Sequence, residues 1–235
     1  MNLLAMDTST ERAAIAVATE AGVFCMTASE PARRHGRDLI PQIAAILESA
    51  SLHATDLNLV AVGLGPGSYT GLRVGVTAAK TLTYASGAEL IALDSLQAIG
   101  RNAPTEAMRI SVIADAQRGE IYVADLYRPA PDAVPVACGE THVEPIDEWL
   151  ARLESGVFVL GPALESPRIL AALPERLAER AVTRNHPEGG RLIELAREAW
   201  AAGRRDDPWL LEPRYLRRSA AEVQWDSIRK PVSPL

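Results

Sequence analysis

The stretch "GLGPGSYTGL", Gly63 to Leu72, places four glycines within nine residues, after an apolar run and before a helix-like one. A glycine-rich turn leading from a strand into a helix gathers backbone N–H groups at one point, which suits a phosphate. Spacing decides which phosphate loops it can be. A Walker A loop needs glycine, four residues, glycine, lysine and then serine or threonine. Here Pro66 holds the first position and Leu72–Arg73 follow Gly71. The dinucleotide fingerprint G-x-G-x-x-G fails at Ser68 counted from Gly63 and at Thr70 counted from Gly65. G-x-S-x-G fails because Ser68 directly follows Gly67. Two roles remain: a nest of N–H groups for an anion, with Ser68 and Thr70 beside it, or a tight framework turn whose Gly71 and Gly75 let a neighbouring helix come close.

Other chemistry has weaker support. His35, His53, His142 and His186 are scattered, without H-x-x-x-H or H-E-x-x-H spacing or a cysteine partner, so no zinc pattern emerges. Cys25 and Cys138 stand too far apart for a disulfide framework, which fits a reducing cytoplasm. Asp7 and Asp115 end apolar runs, where a catalytic acid can sit and where an aspartate can equally bond turn N–H groups.

These residues need elements to position them. "NLLAM", "AAIAVAT" and "VFCMTAS" are three apolar runs joined by short polar turns, which predicts an antiparallel meander. In "GRDLIPQIAAILESASL" the period changes: Leu39, Ile43, Ile46, Leu47 and Ala50 make one helical stripe. Pro41 suits a first turn, which starts this helix near Gly36–Asp38. "NLVAVGLG" is a buried strand leading into the loop, the next helix ends at Gly87, "ELIAL" is a further strand, and Asp94 or Ser95 caps a short helix. The pattern then restarts. "ISVIADAQRGEIYVADLY", 110–127, repeats strand, aspartate, polar turn and strand, with Asp115 in the place of Asp7. Two similar halves, 1–104 and 105–235, follow, with helices near 144–153, 165–173 and 189–203 in the second. Beyond Arg204 the chain reads as irregular, anchored by Trp209, Tyr215 and Trp225, with "RYLRRS" as a solvated basic face.

No run approaches 18 apolar residues, and the net charge of −6 disfavours nucleic-acid binding by this chain alone.

"LLAMDTSTERAAIAV", "RHGRDLIPQI", "GLGPGSYTGLRVGVTAAKTL", "ALDSLQAI", "ADAQRGEIYVADL" and "EPRYLR" occur in an order and spacing that resemble the TsaB family, formerly YeaZ. The resemblance spans nearly the whole chain and agrees with the restart at 110. It implies an α/β fold of the actin/sugar-kinase/Hsp70-like (ASKHA) type: two RNase H-like halves with mixed sheets. It implies a cytoplasmic, non-catalytic subunit in the threonylcarbamoylation of adenosine 37 of tRNA. Its partners would be the transferase TsaD, bound directly, and the ATPase TsaE, with tRNA met only through the complex. TsaD carries a histidine pair for its metal. Ser95 and Ile99 occupy those positions here, so no metal or resident cofactor is implied, and ATP or ADP at the complex interface is left open. Asp7, Gly67, Ser68 and Thr70 would then be vestiges of a phosphate loop or nucleotide contacts. The expected partner face comprises Leu39, Ile43, Ile46 and Leu47 on the first helix and Val74, Ala78 and Thr81 on the second, with self-association of the lone chain also open. The competing expectation is an ATP-dependent kinase-like or peptidase-like enzyme on the same fold.

Overall fold

The computed structural model describes residues 1–27, 35–178, 181–182, 184–217 and 225. Its first sheet opens with the expected meander: β1 (Leu3–Asp7), β2 (Ala14–Ala18) and β3 (Val23–Thr27) pair antiparallel. β4 (Leu59–Gly63) and β5 (Glu89–Leu93) add parallel strands on the other side of β1, giving the order β3-β2-β1-β4-β5. β1, β2 and β4 are buried along their whole length, because helices cover both faces of the sheet. Alternation sorts their residues. Leu4, Met6, Ile15, Val17, Val60 and Val62 face α1 (His35–Ser49) and α2 (Tyr69–Ser86). Ala5, Ala14, Ala16, Ala18 and Ala61 face the opposite way.

The helix ends follow local chemistry. Ser68 Oγ accepts from the Gly71 amide at the start of α2, and Gly87 closes its end at φ 72°. Asp94 caps α3 (Ser95–Gly100). Pro41 lies in the second turn of α1 rather than its first. Pro41 and Arg37, whose carbonyl loses its helical bond, are both exposed, so solvent can satisfy the freed group.

The second sheet repeats the plan. β6 (Arg109–Gln117) and β7 (Glu120–Tyr127) pair antiparallel as β1 and β2 do. β8 (Val136–Ala137) and β9 (His142–Pro145) extend β7. After α4 (Ile146–Arg152), β10 (Phe158–Leu160) pairs parallel to β6, as β4 does to β1. A single parallel bridge between Val159 and Ala181 stands where β5 would be. The two aspartates also correspond: the Ser9 amide donates to Asp7 at 2.7 Å and the Gln117 amide to Asp115 at 2.6 Å. α4, α5 (Pro167–Ala172) and α6 (Glu175–Ala178) cover one face of this sheet around the fully buried Trp149, whose indole N–H donates to Ser111.

The remaining faces are covered by exchange. α3 leaves the first half to pack on β6 and β7, with Leu96 and Ile99 among Val112, Ala124 and Leu126. α7 (Gly189–Ala201) returns from the second half to cover the alanine face of the first sheet through Leu192, Ile193 and Ala196. Arg101, nearly buried just after α3, pairs with Glu198 on α7 through two hydrogen bonds of 2.7 and 2.6 Å. A cut near residue 104 therefore separates the repeats, while α3 and α7 each pack on the sheet of the other half. The reason is non-local: α7 carries an apolar stripe, and the sheet it covers is set by the return of the chain.

Candidate functional site

The loop after β4 answers the question its glycines raise. Four of its amides are taken within the chain: Leu64 N donates to Leu93 O, Gly65 N to Ser95 Oγ, Ser68 N to Ser9 O at 2.7 Å and Gly71 N to Ser68 Oγ. The glycines are required by contact with the β1–β2 turn. A Cβ on Gly67 would stand 2.3 Å from Ser9 O, one on Gly71 2.0 Å from Thr8 O, and one on Gly75 2.3 Å from Thr8 Oγ1. The close neighbour of Gly71 and Gly75 is thus a strand turn, not the helix expected from the sequence. Thr8 is wholly buried and its hydroxyl donates to Gly71 O at 2.7 Å.

Asp7 does not line the cleft. It is fully buried beneath the loop, with Oδ1 taken by the Ser9 amide and Oδ2 without a hydrogen-bond partner. Burial raises its carboxyl above the ordinary range, opposed by the nearby hydroxyls of Ser9 and Ser95 and the Ser9 amide. Gly67, Ser68 and Thr70 do reach open space. They line one wall of a cleft of about 840 Å³ between the halves, opposite Asp115, Arg118 and Tyr122. Ser95 and Ile99, at the positions of the expected metal ligands, are both wholly buried, and Ser95 serves Gly65.

The cleft is crossed by a segment that the sequence leaves irregular. Arg214 and Arg217, of the expected solvated face, are half-buried, and Arg218 and Ser219 lie outside the described residues. Arg214 reaches Asp94 at 3.1 Å and Glu140 at 3.7 Å. Asp94 also accepts from Thr141 at 2.6 Å, and burial outweighs these partners to raise its carboxyl. Arg217 donates to the carbonyls of Ala116 and Gln117. Tyr215 stacks on Tyr69 with centroids 4.6 Å apart, and Arg73 donates to both phenol oxygens. Trp209, 76% exposed, meets the Tyr84 ring edge-on at 6.1 Å, and Leu211, Arg214 and Tyr215 hold the segment further along. The signal in the sequence was "EPRYLR", whose arginines are spaced to reach both halves.

The expected partner face needs correction. Leu39, Ile43, Ile46 and Leu47 are at most 5% exposed and form the chain's own core with Leu4, Val60 and Val62. Ala78 belongs to the same core, and Val74 is half-buried with a methyl 3.7 Å from where a Gly36 Cβ would lie. Of the seven, only Thr81 is exposed. The stripe follows helical periodicity, but two helices side by side on one sheet bury it themselves. Their outward side is rotated by about one position: Ile40, Ala44 and Ala45 on α1, and Arg73, Thr77, Thr81 and Tyr84 on α2.

Relatives agree with this architecture. The profile of the family described as "TsaD: tRNA N6-adenosine threonylcarbamoyltransferase" matches residues 13–156. The tRNA threonylcarbamoyladenosine biosynthesis protein TsaB of Bacillus subtilis is 30% identical, over 98% of this chain and 100% of its own. The chain belongs to the TsaB (YeaZ) family. The Escherichia coli TsaB is 32% identical over 54% of this chain and 56% of its own. A solved Pseudomonas aeruginosa structure, described as an uncharacterized protein with similarity to peptidase YeaZ, superposes with a TM-score of 0.79. It is 26% identical and covers 92% of this chain and 99% of its own. The fold is thus the ASKHA arrangement expected of the family, two halves built on the same strand order.

Proposed function

We propose that this chain serves threonylcarbamoylation of adenosine 37 in tRNA as a non-catalytic subunit. In this reading it pairs with a TsaD-type transferase and works together with a TsaE-type ATPase. The observation that carries it is the glycine-rich loop: the amides of Leu64, Gly65 and Ser68 serve Leu93, Ser95 and Ser9, and its glycines make room for Thr8 and Ser9, which supports a framework role. The wall that would hold phosphate in an enzyme of this fold instead braces β1 against α2. The same brace holds α1 and α2 side by side, and their outward side offers Ile40, Ala44, Ala45, Thr77 and Thr81 to a partner. Small and β-branched residues on such a face let another helix pair approach closely, which suits a heterodimer with a relative of similar fold. The net charge of −6 fits a chain that meets tRNA through its complex. Cytoplasmic function follows from that role, and among the described residues no helix is long and apolar enough to cross a membrane.

The test is reconstitution of adenosine 37 modification from purified transferase, ATPase and tRNA, with and without this chain. Modification should require the chain and should survive Ser68→Ala together with Thr70→Ala. Full modification in its absence, or steady ATP turnover by the chain alone, would refute the assignment.

A further inference from the structure

We propose that residues 204–217 form a latch that fixes the spacing of the two halves, and that Tyr215 passes the state of that latch to the outward face of α2. The inference goes beyond the proposed function and is tested on this chain alone, so it stands or falls separately.

The segment is first laced to one half. The Asp206 amide donates to Leu90 O at 2.9 Å, the Ala92 amide to the Asp206 carboxylate at 2.7 Å, and Arg204 to Ala92 O, closing the free edge of β5. Leu211 enters the core beneath α2, Lys80 donates to its carbonyl at 3.1 Å, and the Arg214 amide donates to Leu64 O. It then crosses to the other half. Arg217 donates to the carbonyls of Ala116 and Gln117 and lies 3.3 Å from Glu120.

The turn it grips is strained. Gln117 and Arg118 hold φ of 65° and 57°, left-handed values that side chains other than glycine rarely adopt, and Gly119 follows at 84°. Such a run persists where surrounding contacts over-determine it, and Arg217 supplies two of those contacts. Two residues before Arg217, Tyr215 stacks on Tyr69 in the first turn of α2 and accepts from Arg73 Nε at 3.0 Å. Arg73 also sits over the Tyr69 ring at 4.3 Å. Arg73 begins the exposed row that continues through Thr77 and Thr81. A displacement at residue 217 therefore reaches α2 through three bonded residues and one ring stack.

Hydrogen–deuterium exchange of the full chain, read by mass spectrometry, tests this. Arg217→Ala should raise exchange about fivefold in both 116–121 and 69–75, the order expected of one coupled contact. Tyr215→Ala should raise it in 69–75. Adding Arg217→Ala to Tyr215→Ala should then raise 116–121 with no further change in 69–75. Circular dichroism checks that each variant is folded. Should Arg217→Ala not fold, Arg217→Lys, which keeps one cationic donor, should show the same pattern at lower amplitude. Unchanged exchange in 116–121 on loss of Arg217 overturns the latch. A rise in 116–121 that leaves 69–75 untouched, or equal rises in 69–75 with and without Tyr215, overturns the transmission.

Discussion

Gly71→Ala sets helix propensity against packing, and the structure decides the sign. In an isolated helix the change would be favourable by about 0.8–1 kcal/mol. Here the new methyl would stand 2.0 Å from the Thr8 carbonyl oxygen, where contacts under 3.0 Å do not occur, so something must retreat by about 1 Å. The obstacle is the backbone of the wholly buried Thr8, and no rotamer relieves it. Moving α2 outward would stretch the 2.7 Å bond from the Thr8 hydroxyl to Gly71 O. Overpacking of this kind costs about 1–3 kcal/mol, and a weakened buried hydrogen bond adds about 1 kcal/mol. After subtracting the propensity gain, a net loss of about 2 kcal/mol remains, which lowers the melting temperature by roughly 4–8 °C for a chain of this size. Gly190→Ala is the control: Gly190 sits in the first turn of α7 with nothing within 4 Å of its Cβ position. It should stabilise by up to about 1 kcal/mol. Urea and thermal unfolding measure both. If Gly71→Ala moves in the same direction as Gly190→Ala, the glycines of this loop are not held by the β1–β2 turn and the framework argument fails.

Asp7→Asn should stabilise the protein at pH 7 by about 1 kcal/mol, because it removes a buried charge with one unpartnered oxygen and keeps the acceptor for Ser9. Since burial raises the Asp7 pKa above 3.8, wild-type stability recovers as pH falls through the folded value toward 3.8, and the advantage of the variant must shrink over that window in pH-dependent melts. Ala78→Glu should abolish folding by placing a carboxylate in the α1–α2 core, whereas Thr81→Glu should leave the circular dichroism spectrum intact and weaken binding to a TsaD-type partner at least about tenfold in calorimetry. Equal behaviour of the two variants would mean the outward face has been misplaced. The Arg101 pair lowers the Glu198 pKa below 4.5, so its contribution is present above that value and is lost as pH falls through the lowered one. Glu198 is half-exposed, which keeps the effect under about 1 kcal/mol, and Glu198→Gln should flatten the acid limb of the stability curve by that amount.

What could be foreseen was local. Gly87 at the end of α2, Asp94 at the start of α3, and the second start at 110 each depend on residues within a few positions of one another. The stripe of Leu39, Ile43, Ile46 and Leu47 was equally visible, but periodicity reports that a face exists and not what covers it. Whether it met a partner or the chain's own sheet depended on where α2 and β4 arrive, and they come from residues 59–86. The destination of α7 was hidden for the same reason. The 204–217 segment has no period at all: it is held by guanidinium groups on carbonyls and by a ring stack, contacts whose partners lie up to 142 residues away.

The exchange of α3 and α7 bears on why the packing alone calls for a phosphate-like loop. Each sheet is covered on one face by a helix from the other half, and Arg101 and Glu198 join those two helices directly. The halves are therefore not free modules that merely share a cleft. Beside that joint, the turn after β1 must pass between β4 and α2, and it does so by running against Gly63, Gly67, Gly71 and Gly75 in succession. Side chains at those positions would meet Asp7, Ser9, Thr8 and Thr8 again, at 1.9 to 2.3 Å. The packing of the first half thus demands the glycines whether or not an anion ever enters the cleft. The motif reports on the close passage of the β1–β2 turn, whose backbone meets Gly67 and Gly71 and whose Asp7 and Thr8 side chains meet Gly63 and Gly75. What the cleft can bind is set by the side chains around the loop, Ser68, Thr70, Asp115, Arg118 and Tyr122 among them.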